Sequence, residues 1–444
     1  MDAHQPNSFF RKVLTLGSGT AIAHLLLFAS TPILTRLYQP EAMGVYALFM
    51  SVASIFIALS SGRLEMGVVL PKADKEGLDV LHTSWMTHVL WSLFYYLIWG
   101  LLYAIQPDSL SSYFDYHLLA LVPVFGGLQL LFESLKQWAL RKEAFAMMSW
   151  SNLIKAIATL ILQIGFALLF ATTAWQLVLG MVLSLLLGNQ WMWRLYRKSY
   201  KANEHSFSWK QYVNTIKTYK KFPLFTSPSI LLNSLVLQLP VWVISSVSIA
   251  VTGLYNIAER ILQAPLLLVG HSVGQVFYKN AQDLRADIPA LKDLTWKVYR
   301  SLFYLMFIPY FVLFIWGAPL FGWIFGEEWL FAGQIAALLA PQLIFNFTVS
   351  PISNLWYVFN RNQQGIYFQG LLLVGRLVIV ALFFMQEQEL PWLFLILGLF
   401  GACAYGILGW SFLRRVGVAT KDFVLQIVLP LILIHVMLHL FLTI

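Results

Sequence analysis

The sequence predicts an all-α polytopic membrane protein: two pseudo-symmetric six-helix lobes and a further helix at the C-terminus. Three observations lead there. Hydrophobic residues make up 59% of the 444 and charged residues only 11%, where a soluble domain carries about 25% charged. The apolar residues fall in runs of about 20, the length at which a helix crosses ~30 Å of hydrocarbon. Runs such as Leu153–Phe170 and Trp392–Leu408 do not alternate in polarity, as the strands of a membrane β-barrel must.

Read in order, the runs predict spans at 13–35, 43–62, 80–105, 117–138, 150–171 and 174–194. A second set follows at 222–247, 252–278, 298–322, 330–358, 365–385 and 391–413, and a thirteenth at 423–443. The first run, Val13–Thr35, exceeds the ~7–15 residues of a signal-peptide core and reads as an uncleaved span. The organisation expected is an N-terminal lobe over 1–200, a basic linker over 201–221, a C-terminal lobe over 222–415 and an additional helix in 416–444.

Charge sets the orientation, because Lys and Arg collect on the cytoplasmic side of membrane proteins. With a cytoplasmic N-terminus, 25 of the 29 Lys and Arg residues fall in alternate, cytoplasmic segments. Arg11 and Lys12 open the series, Arg141 and Lys142 continue it, and the densest stretch runs from Arg194 to Lys221. The opposite loops carry Glu41, Asp108, Asp115, Glu327, Glu328, Glu387 and Glu389. The net charge of +9 is thus spread along one membrane face, and no nucleic-acid partner is expected. Arg194–Lys221 also contains Tyr196, Tyr200, Phe207, Trp209 and Tyr212. It reads either as a segment lying along an anionic lipid surface or as a plain linker with topology charges.

The halves look related. Gly44-Val45-Tyr46-Ala47-Leu48 recurs as Gly253-Leu254-Tyr255-Asn256-Ile257, each opening the second span of its half, and Lys155 and Arg376 each sit in a fifth span. Six spans per half give both halves the same orientation, a parallel repeat of the kind that places a cleft between two lobes.

Four cations remain after the loops are counted: Arg36, Lys155, Arg260 and Arg376. A charge at mid-membrane costs ~2.5–3.5 kcal/mol on an insertion scale, so several together call for a compensating role. A hydrated cleft that accepts a phosphate supplies one, since the guanidinium fork donates two parallel hydrogen bonds. The competing reading is snorkelling to an interface, which suits Arg36 and Lys155 best. Glu259 precedes Arg260 on the same helix, and adjacent helical residues do not face each other. Arg63 with Glu65, and Glu133 with Lys136 three residues on, read chiefly as structural pairs, with coupling as the alternative.

Other features carry less. Cys403 is the one cysteine, so no intrachain disulfide or cysteine metal cluster forms. His435 and His439 are four apart without a carboxylate and read as packing. Gly17-Ser18-Gly19-Thr20 lacks the third glycine and the preceding strand of a dinucleotide site, and no P-loop occurs. No cofactor or metal is expected. Pro223, Pro228, Pro240, Pro265, Pro309 and Pro319 interrupt spans of the second half and are candidate kinks.

Three local patterns resemble the Wzx-type polysaccharide flippases, within the MOP superfamily that includes the MATE exporters. Thr35-Arg36-Leu37-Tyr38-Gln39-Pro40-Glu41 followed by Gly44-Val45-Tyr46-Ala47-Leu48 resembles that family's first external turn. Arg63-Leu64-Glu65 with Val69-Leu70-Pro71-Lys72 resembles the end of its second span, and Gly253 to Arg260 the start of its eighth. The likeness in arrangement extends over about residues 8–415; the run at 423–443 departs from a twelve-helix pattern. The resemblance implies a MATE-like fold in the bacterial inner membrane. It also implies alternating-access transport of an undecaprenyl-diphosphate-linked oligosaccharide to the periplasmic leaflet for O-antigen, capsule or exopolysaccharide synthesis. Membrane lipids and other polysaccharide-assembly proteins are the further partners it suggests.

Two other functions stay open. A cation-coupled multidrug exporter shares the fold but calls for buried carboxylates, whereas the deep charges here are mostly basic. A membrane glycan polymerase, ligase or transferase needs an acid or base near its donor. The longest external loop, Gln106–Tyr116, offers Asp108 and Asp115 without a His or Arg partner.

Overall fold

Prolines start several of the helices. Pro40 opens the helix Pro40–Ser60, and Pro391 lies at the second position of the helix Leu390–Arg415; the ring fixes φ, and the missing N–H is one that the first turn leaves unpaired anyway. The computed structural model describes residues 19–105, 116–202, 206–361, 363–386 and 389–428. Its elements there are helices, and they form two compact units, Met1–Asn256 and Ile257–Ile444.

The first unit contains α1 (Gly19–Leu37), α2 (Pro40–Ser60), α3 (Asp74–Ile105), α4 (His117–Arg141) and α5 (Phe145–Leu169). It continues with α6 (Ala174–Ala202), the short α7 (Trp209–Thr218), α8 (Phe222–Val247) and the start of α9 (Ile249–Pro265). Side-chain hydrogen bonds register the helices. Gln163 Nε2 donates to the Leu177 carbonyl at 2.9 Å and Thr159 Oγ1 to Ser184 Oγ at 2.8 Å, joining α5 to α6. Trp242 Nε1 donates to Ser51 Oγ at 2.8 Å and Ser227 Oγ to the Ala58 carbonyl at 2.7 Å, joining α8 to α2. Each of these helices already satisfies its own backbone, so such bonds select one rotation and depth. α3 turns Leu93, Phe94, Leu97 and Leu101 outward, all more than half exposed, the face that acyl chains cover in a bilayer.

The repeated glycines meet. A Cβ on Gly44 falls 1.9 Å from the Ile249 carbonyl oxygen, and a Cβ on Gly253 falls 1.9 Å from that of Pro40. Each glycine packs on the residue four positions before the other. α2 and α9 therefore approach backbone to backbone in a reciprocal contact that only a residue without a side chain permits.

The second unit contains the rest of α9, α10 (His271–Asp283), α11 (Ile288–Phe325), α12 (Leu330–Ile352), α13 (Gln363–Met385), α14 (Leu390–Arg415) and α15 (Thr420–Phe423). The 38-residue α11 breaks at Trp316 (φ −115°, ψ 15°). Pro319 lies three residues on, and its ring clashes with the carbonyl four residues before it. A π-helical turn, Leu266–Gly270, follows Pro265, and the axis bends by 40° there. Pro223 sits in a second π-helical turn, Phe222–Thr226.

The described helices account for most of the expected spans. Ten described helices are long and apolar enough to cross a membrane, or eleven if the bent pair Ile249–Gly270 and Ser272–Asp283 is one span. α6, over the sixth predicted span, is a helix of 29 residues but is not among the ten; Trp175, Gln176, Asn189 and Gln190 dilute its apolar run. The thirteenth predicted span lies outside the described residues from 429 on, His435 and His439 with it. So do 13–18 of the first span and the Gln106–Asp115 part of the long loop.

Candidate functional site

α2 ends in two consecutive left-handed residues, Gly62 and Arg63, both at φ 58°. Glycine adopts that conformation freely, arginine rarely. The reversal launches a 3-10 turn, Leu64–Val69, which carries Arg63 and Glu65 into a chamber of about 410 Å³. α2 supplies Met50, Ser54 and Ile57 to its wall, α4 supplies Gln129 and Glu133, α5 Lys155, α6 Met181 and α8 Ser234.

The chamber brings together four of the eight residues singled out in the sequence: Arg63, Glu65, Glu133 and Lys155. Its carboxylates are engaged. Arg63 Nη1 lies 3.6 Å from Glu65 Oε1, and Lys136 Nζ lies 3.1 Å from Glu133 Oε2. Gln129 Nε2 also donates to Glu133 Oε1 at 3.5 Å. Both expected pairs therefore form. Burial raises the Glu65 carboxyl above the ordinary carboxylate range, and the neighbouring Glu133 charge adds to this; a hydrogen bond from Ser61 and the Arg63 charge act the other way. Glu65 Oε2 and Arg63 Nε are buried with no hydrogen-bond partner.

Lys155 differs. Its Nζ stands 4.4 Å from the centroid of the Phe132 ring, and no carboxylate of a described residue reaches it within 4.0 Å. Gly188 on α6 makes room for its stem, since a Cβ there would lie 3.0 Å from Lys155 Cβ. A cation held against an aromatic face keeps part of its stabilisation, yet its hydrogen-bond donors stay available to an anion.

The other four expected residues lie elsewhere. Arg36 is exposed in the last turn of α1 and does not line the chamber. Arg260 is half-buried on α9, in the second unit. Arg376 on α13 is 6% exposed. It and Glu259 both lie within electrostatic range of Tyr405 on α14, and Gln263 Nε2 donates to Glu259 Oε2 at 3.2 Å.

One residue that organises the chamber has, in the sequence, only the mark of a topology charge. Arg141, its side chain 8% exposed, donates from Nε to Asp74 Oδ1 at 3.0 Å. Its Nη1 donates to the Val68 carbonyl at 3.3 Å and to that of Pro71, and its Nη2 to that of Lys72 at 3.0 Å. Lys142 pairs with the same Asp74 carboxylate. Arg141 thereby clamps the segment between the 3-10 turn and α3. Nothing local in the sequence links it to residues 67 to 73 positions away.

The fold and the chamber define a multi-pass helical membrane protein with charged groups gathered inside its helices. The chain belongs to the polysaccharide biosynthesis protein family, whose model matches residues 33–333, in line with the resemblance read from its motifs. Among solved structures it is similar to the lipid II flippase MurJ in an inward closed conformation. That match has a TM-score of 0.69 at 14% identity and covers 95% of this chain and 91% of that one. It is also similar to an outward-facing multidrug resistance MATE transporter of the MOP superfamily (TM-score 0.59, 13% identity, 92% and 95% covered). A variant of the Vibrio cholerae MATE transporter VcmN matches with TM-score 0.55 at 11% identity, covering 94% and 98%. At these identities the likeness is one of fold. Among curated proteins, none matches the chain.

Proposed function

We propose that the protein is a flippase. It carries a polyprenyl-diphosphate-linked oligosaccharide from the cytoplasmic to the periplasmic leaflet of a bacterial inner membrane, its N-terminus on the cytoplasmic side. The observation that carries this reading is Lys155: a cation among membrane helices, facing a chamber with charged groups in its wall, with no carboxylate of a described residue within 4.0 Å. Burying such a charge is costly unless something anionic arrives to neutralise it, and a lipid diphosphate is an anion that enters from the bilayer. Ser54, Ser61, Gln129 and Ser234 line the same chamber and offer the hydroxyl and amide groups that a sugar requires. Membership of a polysaccharide biosynthesis family supports a glycan as cargo. In this reading the chamber opens to one leaflet and then the other.

The test is complementation of a bacterium that lacks its own exporter of lipid-linked oligosaccharide. Lys155→Ala should abolish surface glycan while the protein stays in the membrane, and Lys155→Arg should retain most of it. Full export by Lys155→Ala removes the proposed site. The exporter alternative draws support from the buried Glu65, whose Oε2 lacks a partner. Drug resistance without glycan rescue would favour that reading.

A further inference from the structure

α7 and its flanks form a basic face of their own. Ser208 caps the helix with a reciprocal capping box to Gln211, which fixes its start and hence the rotation of every side chain after it. Tyr212 and Thr215 are buried, and Tyr212 Oη lies 3.5 Å from Thr87 Oγ1 on α3. Phe207 packs on His82, ring centroids 5.4 Å apart. Lys210, Asn214, Lys217, Lys220 and Lys221 are exposed on the other side. Residues 206–226 contain no Asp or Glu, and Glu76 of α3 lies within electrostatic range of Tyr219.

The anchoring contacts also set the depth. Thr87 lies seven residues past Val80, where the apolar run of α3 begins, or about 10 Å of helix rise. Glu76, near Tyr219, precedes that run. Phe207 packs on His82 and Tyr212 reaches Thr87, so α7 packs on α3 at the level where its apolar run begins. Trp209, 59% exposed and stacked on Tyr212 at 4.8 Å, lies beside that level. Lys217, Lys220 and Lys221 follow it in the chain. An indole at the interface with ammonium groups above it is the arrangement of a helix seated among lipid headgroups.

We infer that Lys217, Lys220 and Lys221, aided by Lys210, hold anionic phospholipid headgroups of the surrounding bilayer, making α7 a docking platform for acidic lipid. The occupant follows from charge complementarity and depth: a run of lysines, with no acid in residues 206–226, meets the phosphates at its own level. This goes beyond the transport reading and does not depend on it.

The test uses the full-length protein carrying Cys403→Ser and Asn214→Cys, the new thiol labelled with a donor dye. It is reconstituted into phosphatidylcholine vesicles containing 20 mol% phosphatidylglycerol. Energy transfer is compared for trace phosphatidylglycerol and trace phosphatidylcholine bearing the same acyl-chain acceptor. At low salt the acidic lipid should be enriched around the dye by roughly threefold or more. The enrichment should fall to about onefold in Lys217→Gln/Lys220→Gln/Lys221→Gln and persist in the matching triple arginine variant. Equal transfer from both lipids around the unmodified lysines overturns the inference. So does enrichment that survives the glutamine substitutions, which would place the acidic lipid on other residues.

Discussion

Replacing Arg141 by Met should loosen the segment that carries Arg63 and Glu65 while leaving the helices in place. The guanidinium donates to one carboxylate and three carbonyls. Methionine keeps most of the stem's volume and supplies none of the donors. Removing one member of a buried ion pair costs about 3–5 kcal/mol. Asp74 is a third exposed and keeps Lys142, so the lower end, about 3 kcal/mol, applies. For a unit the size of Met1–Asn256 that corresponds to a fall in melting temperature of about 6 °C by the per-residue entropy of unfolding. Intrinsic fluorescence of the purified protein reads the melting point. Thiol labelling of Met66→Cys in a Cys403→Ser background reads the turn itself, and should proceed several-fold faster in the variant. Arg141→Lys should recover only part of the stability, because one ammonium cannot reach all four acceptors. A melting point and labelling rate indistinguishable from those of the parent protein would refute the clamp.

Further outcomes follow from other contacts. Gly44→Val or Gly253→Val should destabilise by about 1–3 kcal/mol, because each Cβ overlaps a carbonyl oxygen of the facing helix; equal melting points in variant and parent would disprove the close approach. Glu65 gives a pH signature. Its carboxyl is raised in the folded protein, so the native state holds the proton more tightly than the unfolded chain. Its contribution to stability is full below the unfolded carboxylate value and is lost as pH rises through the folded value. Glu65→Gln should flatten this decline in melting curves taken across that window, and an unchanged slope would count against it. Glu133→Gln removes the partner that holds Lys136 and one of the carboxylates of the chamber that Lys155 lines. Export should fall several-fold in the complementation assay, and unaffected export would exclude a role for that carboxylate.

The sequence by itself determined the class of protein and most of its spans. Hydropathy is a local quantity, and a helix in lipid satisfies its backbone within itself, so a run such as 222–247 is readable without its neighbours and ends where predicted. Pairs one turn apart are local too, and Glu133 with Lys136 forms as spacing foretold. Only the tertiary structure decided which residues converge. Lys155, Glu65 and Ser234 come from three segments, and their meeting depends on helix rotation set by contacts such as Trp242 on Ser51 and Gly188 beside Lys155. Arg141 looked like one more topology charge until its acceptors were in place. The matching pentapeptides at Gly44 and Gly253 suggested a repeat, but not that each glycine seats the other's helix. Such contacts follow from packing between residues far apart in the chain, and no local property of the sequence encodes them.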